Sequence, residues 1–182
     1  MRRQTFTFLL FILLLFAAAC SQEAPTGAPT DTANTPATTT AAPAANPTPA
    51  EIVSARADEV TLKAGASGEV HVRLQIADGY HINANPATFS YLKATELEFT
   101  PATGFTAGKP AYPQAVTKKF PFAPQPLAVY EHEATIKLPL RASANAPQGA
   151  QTLHAQVQVQ ACDQEKCFPP TRIAADIPVT IN

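Results

Sequence analysis

The 182-residue sequence has no tryptophan, and its one methionine is the initiator. A methionine-rich copper site is therefore excluded. Charge is scarce: 15% of residues are charged and the formal net charge is −1. No basic stripe exists to hold nucleic acid. No nucleophile-elbow glycines, phosphate loop or paired catalytic carboxylates are present, so neither hydrolase nor nucleotide chemistry has support. Only three cysteines occur: Cys20, Cys162 and Cys167. No stretch shows a sustained 3.6-residue apolar period, so an all-α fold is excluded.

The N-terminus has the form of an export signal. Arg2 and Arg3 precede an unbroken apolar run over residues 8–16, then Ala17, Ala18, Ala19 and Cys20. The run is shorter than the ~20 residues of a membrane span, and small residues mark its processing site. A cysteine after three small residues resembles a bacterial lipobox, although Ala17 stands where leucine is usual. Residues 1–19 are then a lipoprotein signal peptide, with Cys20 lipidated. Ser21, in place of aspartate, resembles lipoproteins sent to the outer membrane. Residues 21–50 are mostly Ala, Thr and Pro, with no apolar face to bury, the composition of a disordered segment. At about 3.1 Å per residue it forms a tether of up to ~90 Å.

Residues 51–182 have the length of one domain. Apolar and polar residues alternate over 70–76, 134–140 and 153–161, with further short runs at 80–82, 97–100 and 173–181. Alternation with period two marks half-buried strands. Asp78-Gly79 reads as a tight turn, and Pro139 suggests a sheet edge or strand end. Seven to nine strands with turn signals between them predict an all-β, immunoglobulin-like β-sandwich.

Cys162 and Cys167 flank the bend of a predicted hairpin with Asp163, Gln164, Glu165 and Lys166 at its tip. Cross-strand neighbours lie within disulfide reach. Closing so short a loop contributes only about 2 kcal/mol on the chain-entropy model. Such a bridge is poorly placed as a staple and well placed for exchange. Lys166 favours a thiolate at Cys167, whereas Asp163 opposes one at Cys162. Cys167 is thus the candidate to meet a partner and Cys162 the candidate to resolve the mixed disulfide. The alternative stays open: a non-catalytic binding or envelope-assembly lipoprotein with a structural disulfide, ordinary in exported domains.

The segment Gly79-Tyr80-His81-Ile82-Asn83-Ala84-Asn85-Pro86, then Val159-Gln160-Ala161-Cys162 and Cys167-Phe168-Pro169-Pro170, resembles the N-terminal periplasmic domain of the thiol:disulfide interchange protein DsbD. The resemblance runs over most of 52–182. It implies an immunoglobulin-like fold, no cofactor, and electron relay through Cys167 and Cys162. It also implies thioredoxin-like periplasmic oxidoreductases or a membrane electron carrier as partners. In that family an aromatic loop caps the sulfurs; here Phe122, with Phe120 beside it, occupies the proline-rich stretch 120–126. After Asn182 comes neither a membrane-spanning nor a thioredoxin-like segment, so the expected partners are separate chains.

Tyr80 and His81 belong to the family-like segment and are candidates to line the site. For His81 a surface position at the turn end is the plainer reading. The histidines His71, His81, His132 and His154 do not form the two close ligand pairs typical of structural zinc. Glu131 and Glu133 flank His132 on an expected strand, where they would share a face as solvated charges.

Overall fold

A computed structural model describes residues 47–182. The expected export signal, Cys20 and nearly all of the expected tether lie outside the described residues. The first element among the described residues is a single helical turn, α1 (Pro49–Ile52). Thr48 and Glu51 cap it: the Thr48 N–H and hydroxyl both donate to the Glu51 carboxylate, at 2.6 and 2.7 Å. The Glu51 side chain thus reaches back to the Thr48 N–H, one half of the capping box that a Thr-x-x-Glu sequence can supply at a helix start; the Glu51 N–H donates to the Thr48 carbonyl instead of its hydroxyl.

Twelve strand segments follow, more than the seven to nine expected from sequence. They are β1 (Val53–Ala57), β2 (Val60–Leu62), β3 (Ser67–Ile76), β4 (His81–Asn83), β5 (Glu96–Phe99) and β6 (Phe105–Ala107). The second half comprises β7 (Val116–Lys118), β8 (Leu127–Tyr130), β9 (Glu133–Ala142), β10 (Gly149–Val159), β11 (Ala161–Cys162) and β12 (Thr171–Ile181). Three four-stranded sheets result, ordered β1-β3-β9-β6, β2-β12-β10-β5 and β11-β4-β8-β7. Most of the excess is short strands with little pattern of their own (β1, β2, β6, β7 and β8), and one long run also divides where the chain changes sheet. At Gln160, β10 leaves the second sheet and β11 joins the third.

The first two sheets form the immunoglobulin-like sandwich. Alternation along β3 buries Val70, Val72, Leu74 and Ile76, and along β9 it buries Ala134, Ile136, Leu138, Leu140 and Ala142. Leu153, Ala155, Val157 and Val159 of β10 join Ala175, Ile177, Val179 and Ile181 of β12 in the same core. Each fully buried Val, Leu or Ile contributes roughly 1.5–3 kcal/mol of transfer free energy.

Pro139 lies inside β9, not at its end. Its carbonyl accepts from the Gly108 N–H at 2.8 Å, so its missing donor faces the side where β6 has already stopped at Ala107. The tolerated edge is local. Asp78-Gly79 does turn the chain, with Gly79 at φ +85°, but it carries the chain from the first sheet into the third. Glu131 and Glu133 do not share a strand. His132, at φ +59°, separates β8 from β9. Both carboxylates are paired: Glu131 with Lys118, and Glu133 with the Gln75 amide at 2.8 Å.

Candidate functional site: a disulfide hairpin under an aromatic loop

The third sheet is small, and its strands are two to four residues long. It stands at the end of β10, and Gln160 secures the junction. The Gln160 side-chain oxygen accepts from the Asn83 amide at 3.0 Å and the Lys93 N–H at 2.9 Å. Its amide donates to the Phe168 carbonyl at 3.3 Å. Asn85 donates to the Thr95 carbonyl at 2.8 Å, and the Thr95 hydroxyl donates to the Asn83 carbonyl at 2.6 Å. The Asn85–Pro86 peptide is cis. These polar side chains of the 79–86 segment tie the loop over 84–95 to the sheet.

Cys162 and Cys167 are joined as a disulfide, with Cα atoms 3.9 Å apart. The separation is shorter than the usual 4.4–6.8 Å, and the backbone pattern accounts for it. The Phe168 N–H donates to the Ala161 carbonyl at 2.8 Å and the Asp163 N–H to the Lys166 carbonyl at 2.9 Å. The cysteines between these bonds form the narrow, non-hydrogen-bonded pair of an antiparallel ladder. At the tip, the Asp163 carboxylate accepts from the Glu165 and Lys166 N–H groups, each at 2.8 Å. Burial works to raise the Asp163 pKa, but those two N–H bonds, with the Lys166 charge, hold it below its ordinary value.

The two sulfur residues differ in access. Cys162 is fully buried, whereas Cys167 is half-buried and lines a pocket of about 290 Å³. Tyr91, Leu92, Phe122, Ala123, Leu127 and Gln160 form the rest of its wall. Phe122 comes from the 120–126 loop between β7 and β8 and is partly buried. Phe120 lies beneath it, 1% exposed, with ring centroids 5.4 Å apart. Of the two aromatic candidates, therefore, Phe122 reaches the Cys167 pocket and Phe120 packs the floor.

His81 is not on the surface. It is completely buried on β4, its Cα paired with that of Cys162 on β11. Its ring stacks on Phe120 at 4.0 Å and 18°. Burial pushes its pKa down to about 4, against the raising influence of the Glu131 carboxylate. The imidazole is neutral at neutral pH.

Tyr80, one residue earlier, faces the other way. It packs on Phe168 with centroids 6.1 Å apart. Lys166 is exposed at the tip, its ammonium 5.6 Å from the Phe168 ring. The structure thus gathers Cys162, Cys167, His81, Phe120 and Phe122, and leaves Tyr80 and Lys166 outside this group. Of the other histidines, His71 pairs with Glu69, His132 with Asp78 and His154 with Asp176, all away from the hairpin.

Sequence reasoning missed Tyr91 and Leu92. Tyr91 is 67% exposed, and its ring stacks on Phe89 at 5.1 Å. Two aromatics in an otherwise unpatterned loop were the available signal.

A disulfide held at a hairpin tip, with one sulfur residue buried and the other opening beneath an aromatic loop, defines a thiol–disulfide interchange module. The sequence model of the family described as thiol:disulfide interchange protein DsbD, N-terminal, matches residues 48–177. The chain belongs to that family.

Among solved structures, the reduced N-terminal domain of DsbD from Neisseria meningitidis is similar at 25% identity. That match covers 69% of this chain and 83% of the other, with a TM-score of 0.43. The N-terminal periplasmic domain of ScsB from Proteus mirabilis is 14% identical over 68% of this chain and 43% of that one, with a TM-score of 0.45. A type I cohesin from Pseudobacteroides cellulosolvens is 9% identical over 72% and 92%, with a TM-score of 0.43. No curated protein sequence matches the chain.

Proposed function

We propose that the domain relays electrons between thiol–disulfide partners in the periplasm, with Cys167 meeting the partner and Cys162 resolving the mixed disulfide. The observation that carries this assignment is the difference in access: Cys162 is fully buried and Cys167 opens into a pocket. A partner sulfur can approach only the exposed member of the pair. In the reduced domain, the Cys167 thiolate attacks a partner disulfide and expels one partner thiolate. Cys162 then attacks the Cys167 sulfur, re-forms the intramolecular disulfide and releases the second partner thiolate. Two electrons pass to the partner, and the reverse sequence reloads the domain. Phe122 shields the exposed sulfur from small thiols and must move aside as a partner docks.

The partners this chemistry fits are thioredoxin-like oxidoreductases or a membrane electron carrier on a separate chain. Lipidation of Cys20 would hold the domain on the periplasmic face of the envelope at the end of the 20–50 tether, and Ser21 favours the outer membrane. Metabolic labelling with a fatty acid should mark the native protein and not a Cys20→Ser variant.

Trapping tests the relay. A Cys162→Ala protein should accumulate as a mixed disulfide through Cys167 with a periplasmic partner. A protein that folds and yields no such adduct contradicts the assignment.

A further inference from the structure

Both ring nitrogens of His81 are buried without a hydrogen-bond partner. Buried polar atoms are almost always paired, so such an orphan calls for a functional explanation. Position supplies one. His81 and Cys162 are directly opposed on adjacent antiparallel strands. Residues so opposed project to the same face of the sheet with Cβ atoms about 4.5–5.5 Å apart. The pairing of β4 with β8 ends at Ile82 and Tyr130, and Glu131, the next residue after β8, lies near enough for its charge to act on the His81 ring. Cys162 and His81 thus stand side by side across the sheet, fully buried over Phe120, while the Glu131 carboxylate beyond them is partly exposed.

We propose that His81 is the proton acceptor for Cys162, taking the thiol proton as Cys162 attacks the mixed disulfide at Cys167. The inference rests on the exchange reading above and names how its resolving step is made possible. A buried thiol is poorly ionised, because burial disfavours the thiolate, and only the thiolate attacks. The Cys162 sulfur forms its bond to the Cys167 sulfur, the Cys167–partner S–S bond breaks, and the electron pair leaves on the partner thiolate. The proton passes from Cys162 to an imidazole nitrogen and then to the departing thiolate or to water.

The charged groups around the ring suit a transient imidazolium. Glu131 and Asp163 favour it; Lys118, which is paired with Glu131, opposes it. Burial, which holds the resting ring at about 4, keeps a lone pair free at neutral pH and makes the ring surrender the proton afterwards.

Reaction of the reduced protein with dithiobis(nitrobenzoate) separates the steps. Attack by Cys167 releases the first coloured thiolate, and attack by Cys162 on the resulting adduct releases the second. In the native protein the second phase should change little between about pH 6 and pH 8. In a His81→Phe variant it should slow roughly a hundredfold at neutral pH, the lower end of general-base contributions, and rise about tenfold per pH unit. The first phase should be unaltered. Phenylalanine keeps a ring against Phe120, and circular dichroism checks the fold.

An unchanged second phase with an unchanged pH profile overturns the role of His81 and leaves the relay standing. A native protein with no second phase overturns the relay, and the role of His81 with it. Nitrogen NMR of the native His81 ring gives a reading free of substitution. The ring should gain a hydrogen bond in the dithiol form; identical spectra in dithiol and disulfide forms refute the proposal.

Discussion

The sandwich and the small third sheet obey different rules. In the sandwich, long strands alternate cleanly, and their buried faces carry apolar side chains in one continuous core. In the third sheet the strands are short, and buried His81 and Asn83 sit beside a fully buried cysteine. Buried polar atoms without partners destabilise a fold, and among the described residues those atoms belong to His81 and Asn83. The sandwich supplies stability; the third sheet uses some of it to hold a reactive pair in a dry, shaped place. Ten- and eleven-residue strands provide the rigid support from which a two-residue strand can present Cys162.

Removing the exposed sulfur should have the largest effect. A Cys167→Ser protein should lose exchange with partners completely, as read by an insulin- or partner-reduction assay. Its folding free energy should fall by only about 2 kcal/mol, the value of so short a closed loop. The core behaves in the opposite sense. An Ile136→Ala protein should lose about 2–5 kcal/mol in urea denaturation, while the folded fraction keeps its native thiol reactivity.

The acid limb distinguishes the regions next. His81 has an ordinary pKa of 6.5 and a folded value of about 4. Between these values the unfolded chain binds a proton that the folded protein refuses. Stability should therefore fall as pH drops from about 6.5 to about 4, by about 3 kcal/mol, and this contribution should level off below. Urea titrations at stepped pH should show that slope in the native protein and lose it in His81→Phe. The smallest effect concerns the lid. Phe122 is only partly buried, so Phe122→Ala should cost about 1 kcal/mol or less and should speed reduction of the disulfide by small thiols several-fold.

Legibility from sequence follows the same division. Strands β3, β9, β10 and β12 were readable because one face meets a core and the other meets water, which writes a period of two into the chain. The cysteine hairpin was readable because its two arms are short and a turn joins them. Strands β1, β2, β6, β7 and β8 were not, since three to five residues carry too little pattern and their neighbours decide their pairing.

The environment of His81 was hidden for a physical reason. All three residues of β4 are buried, so alternation there gives no hint of which side chain faces the sulfurs. Only the pairing of β4 with β11 brings position 81 opposite 162. Gln160 was visible as part of a motif, but its three hydrogen bonds at the sheet change depend on where β10 ends.

The central claim is that the Cys162–Cys167 bridge is a working couple rather than a staple, and its reduction potential tests that most directly. Equilibration of the native domain with glutathione buffers, followed by alkylation of free thiols, should give a value well above about −300 mV, the range below which structural disulfides lie. A value at or below that range would make the bridge structural and contradict the account.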